Sequence, residues 1–224
     1  MKIAILTSDP QSIFWHRQDL ADDFVKAKHD LLIISSGNEE WVDKFHQYGF
    51  RYKYIRLNRN GINPITDIYT FLDFIKVLKE EKPDKVFAYQ AKAVVYGCWA
   101  ANRCGITEVY TMLTGLGSVL RDNKKTLKHQ LLSFILKRLY KNAFRCSRVV
   151  VFQNKDDQDI MINATSLPLN KTVLVNGSGV DINTYIHRSL PSTPTFLYIG
   201  RLVEEKESEN ILRRAKSLKI NIKT

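Results

Sequence analysis

Short apolar runs alternate with longer segments of helical spacing along most of the chain. Strand-like runs, rich in branched and aromatic residues, occupy 2–7, 31–34, 51–57, 84–89, 108–113, 148–152 and 172–175. Between them, apolar residues recur at helical spacing over 14–28, 39–48, 65–81, 93–103, 127–144 and 155–162. This alternation predicts an α/β fold: a Rossmann-like, doubly wound, mostly parallel sheet covered by helices on both faces.

The predicted topology places the loops that follow the strands at one edge of the sheet, because crossovers between parallel strands are right-handed. Ligands of such folds bind at this edge. The loops concerned are 8–13, 58–64, 90–92, 114–118, 153–155 and 176–181. Candidate functional residues are therefore sought in these loops.

The residue composition and the spacing of apolar positions change after Gly177. Residues 1–182 form the predicted Rossmann-like domain, and 183–194 has the serine and proline content of a linker. A strand-like run at 195–200 and helical spacing after it predict the start of a second α/β domain. Roughly thirty residues cannot bury an independent α/β core, so this second domain is expected to be incomplete within 195–224.

Arg201 and Lys206 are the strongest candidates for binding a phosphate group. They follow a buried strand and the turn at Gly200, where a helix is expected to begin. Two cations beside a helix N-terminus suit a diphosphate, because backbone N–H groups and the helix dipole add to their attraction. The alternative is that both are ordinary exposed charges at the start of a helix.

Charged side chains in the other edge loops supply further candidates. Arg17, in the first turn of the first helix, can reach a phosphate or a sugar hydroxyl, whereas His16 beside it is more often structural. Lys92 follows the fourth strand and is placed for an anionic oxygen, or it is a solvated lysine. Arg59 and Arg121 are loop cations with little to distinguish them from other surface charges.

Glycines mark the remaining candidates. Thr114, Gly115 and Gly117 follow the fifth strand, where glycines permit a tight turn with exposed N–H groups for an oxygen-rich ligand, or only a turn. The third glycine of a dinucleotide-binding fingerprint is absent, so an oxidoreductase is not indicated. Gly177 and Gly179 stand where the chain is expected to cross between domains, and a hinge there would govern cleft closure.

The net charge of +11 favours an anionic partner such as a phosphorylated substrate, an acidic membrane or nucleic acid, or it serves solubility alone. Nucleic-acid binding is not expected, because no recognition motif is present. The three cysteines lack C-x-x-C spacing, which argues against a disulfide framework or a zinc site, and no metal is expected. No apolar run is long enough for a signal peptide or a bilayer span, so a cytoplasmic location is expected.

The helix predicted over 127–144 combines an apolar row with many basic residues. The row at i, i+4 spacing is Leu127, Leu131, Ile135, Leu139 and Ala143, and the basic residues on and around the helix are Lys124, Lys125, Lys128, Lys137, Arg138, Lys141 and Arg145. Such a helix can dock on an anionic leaflet at the inner face of the plasma membrane. Because the charges are not cleanly segregated, a core helix with a basic outer face is the alternative.

Several segments together resemble glycosyltransferase family 4, the retaining sugar-nucleotide transferases with two facing Rossmann-like domains, known as the GT-B fold. The similarity is greatest to the branch that builds bacterial polysaccharides on a lipid carrier. The segments are 14–17, 82–84, 91–93 with Tyr96 and Gly97, 113–117, 152–157, 177–181, and 196–202 with Lys206. Their order and spacing span nearly the whole chain.

The resemblance implies transfer of a hexose or N-acetylhexosamine from a nucleotide-diphosphate sugar to a lipid-linked or glycan acceptor in surface polysaccharide synthesis, such as capsule, O-antigen or exopolysaccharide. The anomeric configuration would be retained, and no cofactor beyond the donor substrate is implied. Arg201 and Lys206 would contact the donor diphosphate from the second domain. The first domain would hold the acceptor, with a cleft lined by His16, Arg17, Lys92, Thr114, Gly115 and Gly117.

Three features depart from the pattern of this family. Glu207 stands where the family usually has a glycine, and 8–12 lacks the glycines that many relatives place after the first strand. The paired glutamates of the family's donor domain have no counterpart in 195–224. The alternative interpretation is a truncated, non-catalytic remnant, or an acceptor-binding module completed by a partner polypeptide.

Overall fold

Seven parallel strands form one sheet in the computed structural model, which describes residues 1–59, 61, 63–121 and 126–189. The strands are β1 (Lys2–Leu6), β2 (Asp30–Ser35), β3 (Arg51–Tyr54), β4 (Lys85–Tyr89), β5 (Val109–Leu113), β6 (Val149–Phe152) and β7 (Thr172–Leu174). Their order is β3-β2-β1-β4-β5-β6-β7, and every neighbouring pair is parallel. The predicted Rossmann-like sheet is confirmed.

Helices cover both faces of the sheet. They are α1 (Gln11–His16), α2 (Gln18–Lys26), α3 (Glu40–His46), α4 (Pro64–Glu81), α5 (Cys98–Arg103), α6 (Ser118–Arg121), α7 (Leu127–Cys146) and α8 (Lys155–Thr165). A π-helical turn (Ala93–Gly97) leads into α5, and a 3₁₀ turn (Leu169–Lys171) precedes β7. Successive strand residues face opposite sides, so Leu6 packs under α4, α5 and α7, whereas Ile5 packs under α1, α2 and α3.

The single helix expected over 14–28 is wrong, because the backbone breaks at Arg17 (φ −139°, ψ 9°) and separates α1 from α2. The apolar spacing continues across the break, so the pattern gave no sign of it. The break turns the side chain of Arg17 into the protein, where 6% of the residue is exposed. Its neighbour His16 remains on the surface.

The helix expected over 65–81 is confirmed as α4, but the apolar rows of α4 and α7 are only partly buried. Phe74 and Leu78 of α4 are buried, but Ile68 and Leu72 nearer its N-terminus are exposed. The predicted row of α7 divides in the same way: its C-terminal member Ala143 is buried, and Leu127, Leu131 and Ile135 are exposed. Both helices therefore carry apolar side chains beyond the part that packs on the sheet.

The chain divides into two units, Met1–Gly179 and Val180–Thr224. The predicted domain boundary at 182 and the linker at 183–194 stay predictions. The strand expected at 195–200 lies outside the described residues, as do Arg201 and Lys206. Within the part of the chain that the structure describes, no helix has the length and apolarity needed to cross a bilayer.

Candidate functional site

A pocket of about 200 Å³ opens at the carboxyl ends of β1, β4 and β5. The strand order reverses between β1 and β4, and in open α/β sheets this switch point is where ligands bind. The pocket is lined by Ser8, Arg59, Gln90, Ala91, Lys92, Leu113, Thr114 and Gly115. Three of the predicted site residues, Lys92, Thr114 and Gly115, therefore lie together.

A larger groove of about 820 Å³ lies along the outer strand β3, between α3 and α4. Its lining mixes acidic and basic side chains, and Arg56 already pairs there with Asp73 at 2.6 Å. It runs along the margin of the sheet, away from the switch point. We place the candidate site at the smaller pocket because the fold gathers residues there from the loops that follow four strands, β1, β3, β4 and β5.

Gln90 shapes the floor of the smaller pocket. It follows β4 in the left-handed region (φ 69°), an uncommon conformation for a residue other than glycine. Its side-chain oxygen accepts hydrogen bonds from the Thr7 hydroxyl at 3.0 Å and from the Ser8 N–H at 2.9 Å. The carboxyl ends of β1 and β4 are thereby joined through one amide. The hydroxyl of buried Ser8 has no partner among the described residues.

Lys92 is paired rather than free. Its ammonium lies 2.5 Å from the carboxylate of Asp67 in the first turn of α4, and Tyr96 donates its hydroxyl to the same carboxylate at 2.8 Å. Burial raises the pKa of Tyr96, and the hydrogen bond to Asp67 raises it further. The tyrosine therefore stays a donor at neutral pH, and the carboxylate holds Lys92 at the wall of the pocket.

Arg59 is a site residue that the sequence indicated only as a loop cation with little to distinguish it from other surface charges. Its guanidinium reaches the loop after β1 and pairs with Asp9 at 2.6 Å. Loop 58–64 follows the third strand, so its place at the carboxyl edge could be predicted, but nothing in its composition marked this arginine. The structure thus brings two cations to one pocket, each held by a carboxylate.

The loop after β5 gives the pocket an open side. Gly115 (φ 142°) and Gly117 (φ 69°) both adopt conformations that favour glycine, and an added Cβ at either would meet no atom within 4 Å. Thr114 and Gly115 line the pocket, whereas Gly117 is exposed beyond it. Backbone groups of this loop are accessible to a ligand with several oxygens.

His16 and Arg17, adjacent in sequence, are placed differently. His16 is exposed, and its ring lies edge-on to the ring of Trp15 at a centroid distance of 6.4 Å. Arg17 is buried and its guanidinium lies 5.5 Å from the ring centre of Tyr89, the last residue of β4. Arg17 also donates to the hydroxyl of Ser178 at 2.7 Å, so the edge of the sheet contacts the predicted hinge.

The predicted hinge residues both have the backbone that glycine allows. Gly177 (φ 82°) and Gly179 (φ 71°) flank Ser178, and all three are exposed. Their role in domain closure stays a prediction. Among the described residues, no group of three or more His, Cys, Asp or Glu side chains is arranged to hold a metal ion.

Comparison with known protein families agrees with this geometry. The model of a family described as "Glycosyl transferase 4-like" matches residues 2–154, which include every residue of the 200 Å³ pocket. The chain belongs to this family. The resemblance found in the sequence is thereby confirmed, and the sheet is the N-terminal Rossmann-like sheet of a GT-B fold.

One curated relative is the N,N'-diacetylbacillosaminyl-diphospho-undecaprenol alpha-1,3-N-acetylgalactosaminyltransferase of Campylobacter jejuni. It is 24% identical over 185 residues, which are 83% of this chain and 48% of the relative. The chain therefore spans about half the length of this relative.

Solved structures share the fold at low sequence identity. A glycosyltransferase of Rickettsia africae has a TM-score of 0.58 at 14% identity, covering 100% of this chain and 50% of its own. Anabaena HepE in complex with UDP-glucose has a TM-score of 0.57 at 17% identity, covering 98% and 50%. A UDP-GlcNAc 2-epimerase of Methanocaldococcus jannaschii has a TM-score of 0.54 at 19% identity, covering 79% and 46%. These likenesses concern the fold alone.

Proposed function

We propose that the protein acts in glycosyl transfer, moving a hexose or N-acetylhexosamine from a nucleotide-diphosphate sugar to a lipid-linked or glycan acceptor. The observation that carries this proposal is that the pocket at the switch point lies wholly within the residues matched by the family. The relative named for a diphospho-undecaprenol substrate supports a lipid-linked acceptor. HepE, solved with UDP-glucose, supports a nucleotide-sugar donor.

The described pocket is proposed to bind the acceptor. Lys92 and Arg59 bring two positive charges to it, each balanced by a carboxylate that the ligand's anionic group can replace as a partner. The backbone groups of the exposed residues Thr114, Gly115 and Gly117 can form hydrogen bonds with sugar hydroxyls. Arg201 and Lys206 remain the proposed contacts of the donor diphosphate, where two cations would stabilise the charge that develops on the leaving group. Retention of configuration and a role in surface polysaccharide synthesis belong to the same proposal.

We further propose that the first unit rests on an anionic membrane at the cytoplasmic face. Exposed apolar residues near the N-termini of two helices support this: Ile65, Ile68, Tyr69 and Leu72 on α4, and Leu127, Leu131, Phe134 and Ile135 on α7. We call these eight side chains the apolar face. Both helices pack on the π-helical turn on the same side of the sheet, and α7 contains no acidic residue. Anionic lipids of the cytoplasmic leaflet suit such a surface.

The test is a binding and transfer assay with an isoprenyl-diphosphate-linked N-acetylhexosamine as acceptor and a panel of UDP-sugars as donors. The acceptor should bind the 224-residue chain, and Lys92→Met should weaken binding about tenfold, because a charge-assisted contact is lost. Lys26→Met is the control, because this exposed lysine pairs with Asp23 at the end of α2, outside the loops at the carboxyl edge.

In the transfer assay, the product is identified by mass spectrometry and its anomeric configuration is determined by NMR. Product with the configuration of the donor sugar would support the reaction. An acceptor that does not bind, or that binds equally to the Lys92 variant, would contradict the proposed site. Binding without product from any donor would support the acceptor site and leave the reaction unsupported.

A further inference from the structure

Arg17 is a buried guanidinium without an acidic partner. Only 6% of the residue is exposed, and it forms no ion pair with any carboxylate in the described part of the chain. Its terminal nitrogens donate to neutral atoms: the backbone oxygen of His16 at 2.7 Å, the hydroxyl of Ser178 at 2.7 Å and the sulfur of Met112 at 2.9 Å. Its Nε has no hydrogen-bond partner among the described residues.

Four other arginines of this chain have the acidic partner that Arg17 lacks. Arg51, Arg56, Arg59 and Arg148 are each paired with a carboxylate, although all four are far more exposed than Arg17. Burying a charge without a counter-ion costs free energy, which is why such groups are normally paired. Burial accordingly lowers the pKa of Arg17, and the nearby Tyr89 opposes this. The folded chain thus buries the guanidinium of Arg17 without an anion to balance its charge.

The position of Arg17 indicates where a counter-charge can enter. Its guanidinium lies at the carboxyl edge, beside Tyr89 at the end of β4 and Met112 near the end of β5. On the remaining side stands Ser178, which is exposed and lies between two glycines in left-handed conformations. An added Cβ at Gly177 or Gly179 would meet no atom within 4 Å, so the space beside both glycines is open.

We propose that Arg17 recognises a phosphoryl group, and that an oxygen of a diphosphate takes the place at Nη1 that the Ser178 hydroxyl holds in this structure. The fork of the guanidinium matches two phosphate oxygens, and a water-poor surrounding strengthens the contact. This inference rests on the proposed function for its ligand class. A nucleotide diphosphate and an isoprenyl diphosphate share the required chemistry.

The experiment measures the unfolding midpoint of the full chain with increasing inorganic pyrophosphate, at constant ionic strength, for wild type and for Arg17→Met. Pyrophosphate should raise the wild-type midpoint in a concentration-dependent way, because ligand that binds only the folded state stabilises it. Arg17→Met should lose most of this shift, with affinity at least about tenfold weaker. Arg103→Met, which removes an exposed arginine in the last turn of α5, should keep the shift.

The variant without ligand distinguishes a binding role from a structural one. If Arg17 serves an anion, replacing it with methionine removes an unpaired buried charge, and the midpoint should stay equal or rise. A lower midpoint or an unfolded chain would overturn the proposal. So would a pyrophosphate shift that Arg17→Met retains.

Ser178→Ala gives a second test that leaves the guanidinium in place. Without the competing hydroxyl, pyrophosphate should bind about two- to fivefold more tightly, the equivalent of one neutral hydrogen bond. Weaker binding of pyrophosphate would contradict the proposal that a phosphate oxygen replaces the Ser178 hydroxyl at Arg17. UDP and farnesyl diphosphate, titrated in parallel, distinguish a donor-like from an acceptor-like source. These measurements of ligand binding do not require glycosyl transfer. If pyrophosphate binds through Arg17 but no glycosyl transfer is detected, the proposed function is refuted and the inference about Arg17 is retained.

Discussion

Gln90 illustrates how one residue outside regular structure can hold a site together. Its backbone is strained at φ 69°, and its amide oxygen satisfies two donors at the end of β1. Strain of this kind persists where surrounding contacts impose it, and it is found most often at functional sites. The sequence could not reveal it, because glutamine is not a residue typical of left-handed turns.

We expect Gln90→Ala to lower the free energy of unfolding by about 1–3 kcal/mol, because the buried Ser8 N–H loses its acceptor. Gln90→Gly should cost about 1 kcal/mol less than the alanine variant, because glycine adopts positive φ without strain. Urea unfolding of both variants measures the difference. Lys82 (φ 45°) is the matched control, because it shares the conformation but is exposed. Lys82→Ala should be nearly neutral, and a loss as large as that of Gln90→Ala would refute the role of the amide.

The residues of the site were only partly predictable, because some of them are placed by contacts between segments distant in sequence. Lys92, Thr114 and Gly115 were found because each directly follows a strand, and parallel strands end at one edge. Arg59 was ranked with background charges, because its contact with Asp9 joins loops fifty residues apart in sequence. The burial of Arg17 depends on a helix break that no spacing rule signals.

At the scale of elements, the strands and helix ends followed local chemistry closely. Helix α4 begins where Asn63 accepts a hydrogen bond from the Ile65 N–H and has Pro64 in its first turn, and it ends at left-handed Lys82 before Pro83. These signals are local, so the sequence contains them. Which part of an apolar row is buried depends instead on neighbouring elements, and the exposed N-terminal turns of α4 and α7 were not predictable.

An ion cluster at the amino edge of the sheet joins three elements. The carboxylate of Glu81, at the end of α4, lies 2.6 Å from Arg51 on β3 and 3.3 Å from Lys2 on β1. Burial alone raises the pKa of Glu81, but its hydrogen bonds and its attraction to Arg51 and Lys2 outweigh this, so its pKa lies below the usual value. The ionised carboxylate therefore stabilises the folded state.

We expect Glu81→Gln to lower the free energy of unfolding by about 1 kcal/mol at pH 7, since both cations lose their charged partner. A lowered folded pKa gives stability that is present above the unfolded pKa of about 4.3 and is lost as pH falls through the folded value. The difference from wild type should thus shrink below about pH 4. Chemical unfolding between pH 3 and 7 measures it, with exposed Glu80→Gln as control. A difference independent of pH would exclude the ion pairs as its cause.

At the scale of the whole molecule, one helix, α7, carries both exposed apolar side chains and basic residues. The net charge of +11 is accompanied by a helix, α7, that has basic residues and no acidic ones. The apolar face lies on the side of the sheet shared by α4 and α7, and the first turn of α4 reaches the pocket through the contact of Asp67 with Lys92. A membrane that covers this face would bring a lipid-linked sugar to the pocket without a spanning helix. The proposal therefore ties acceptor chemistry to a specific surface.

The apolar face should bind vesicles that contain anionic phosphatidylglycerol more strongly than neutral ones, and added salt should weaken this binding. Leu131→Gln combined with Phe134→Gln should reduce partitioning more than about tenfold, because two side chains lose their burial in lipid. Leu169→Gln is the control, since Leu169 and Phe134 are both 65% exposed but Leu169 lies in the turn before β7. Co-sedimentation with vesicles measures all three chains. Equal loss in the control would indicate nonspecific contact, and unchanged partitioning of the double variant would exclude α7 as the docking element.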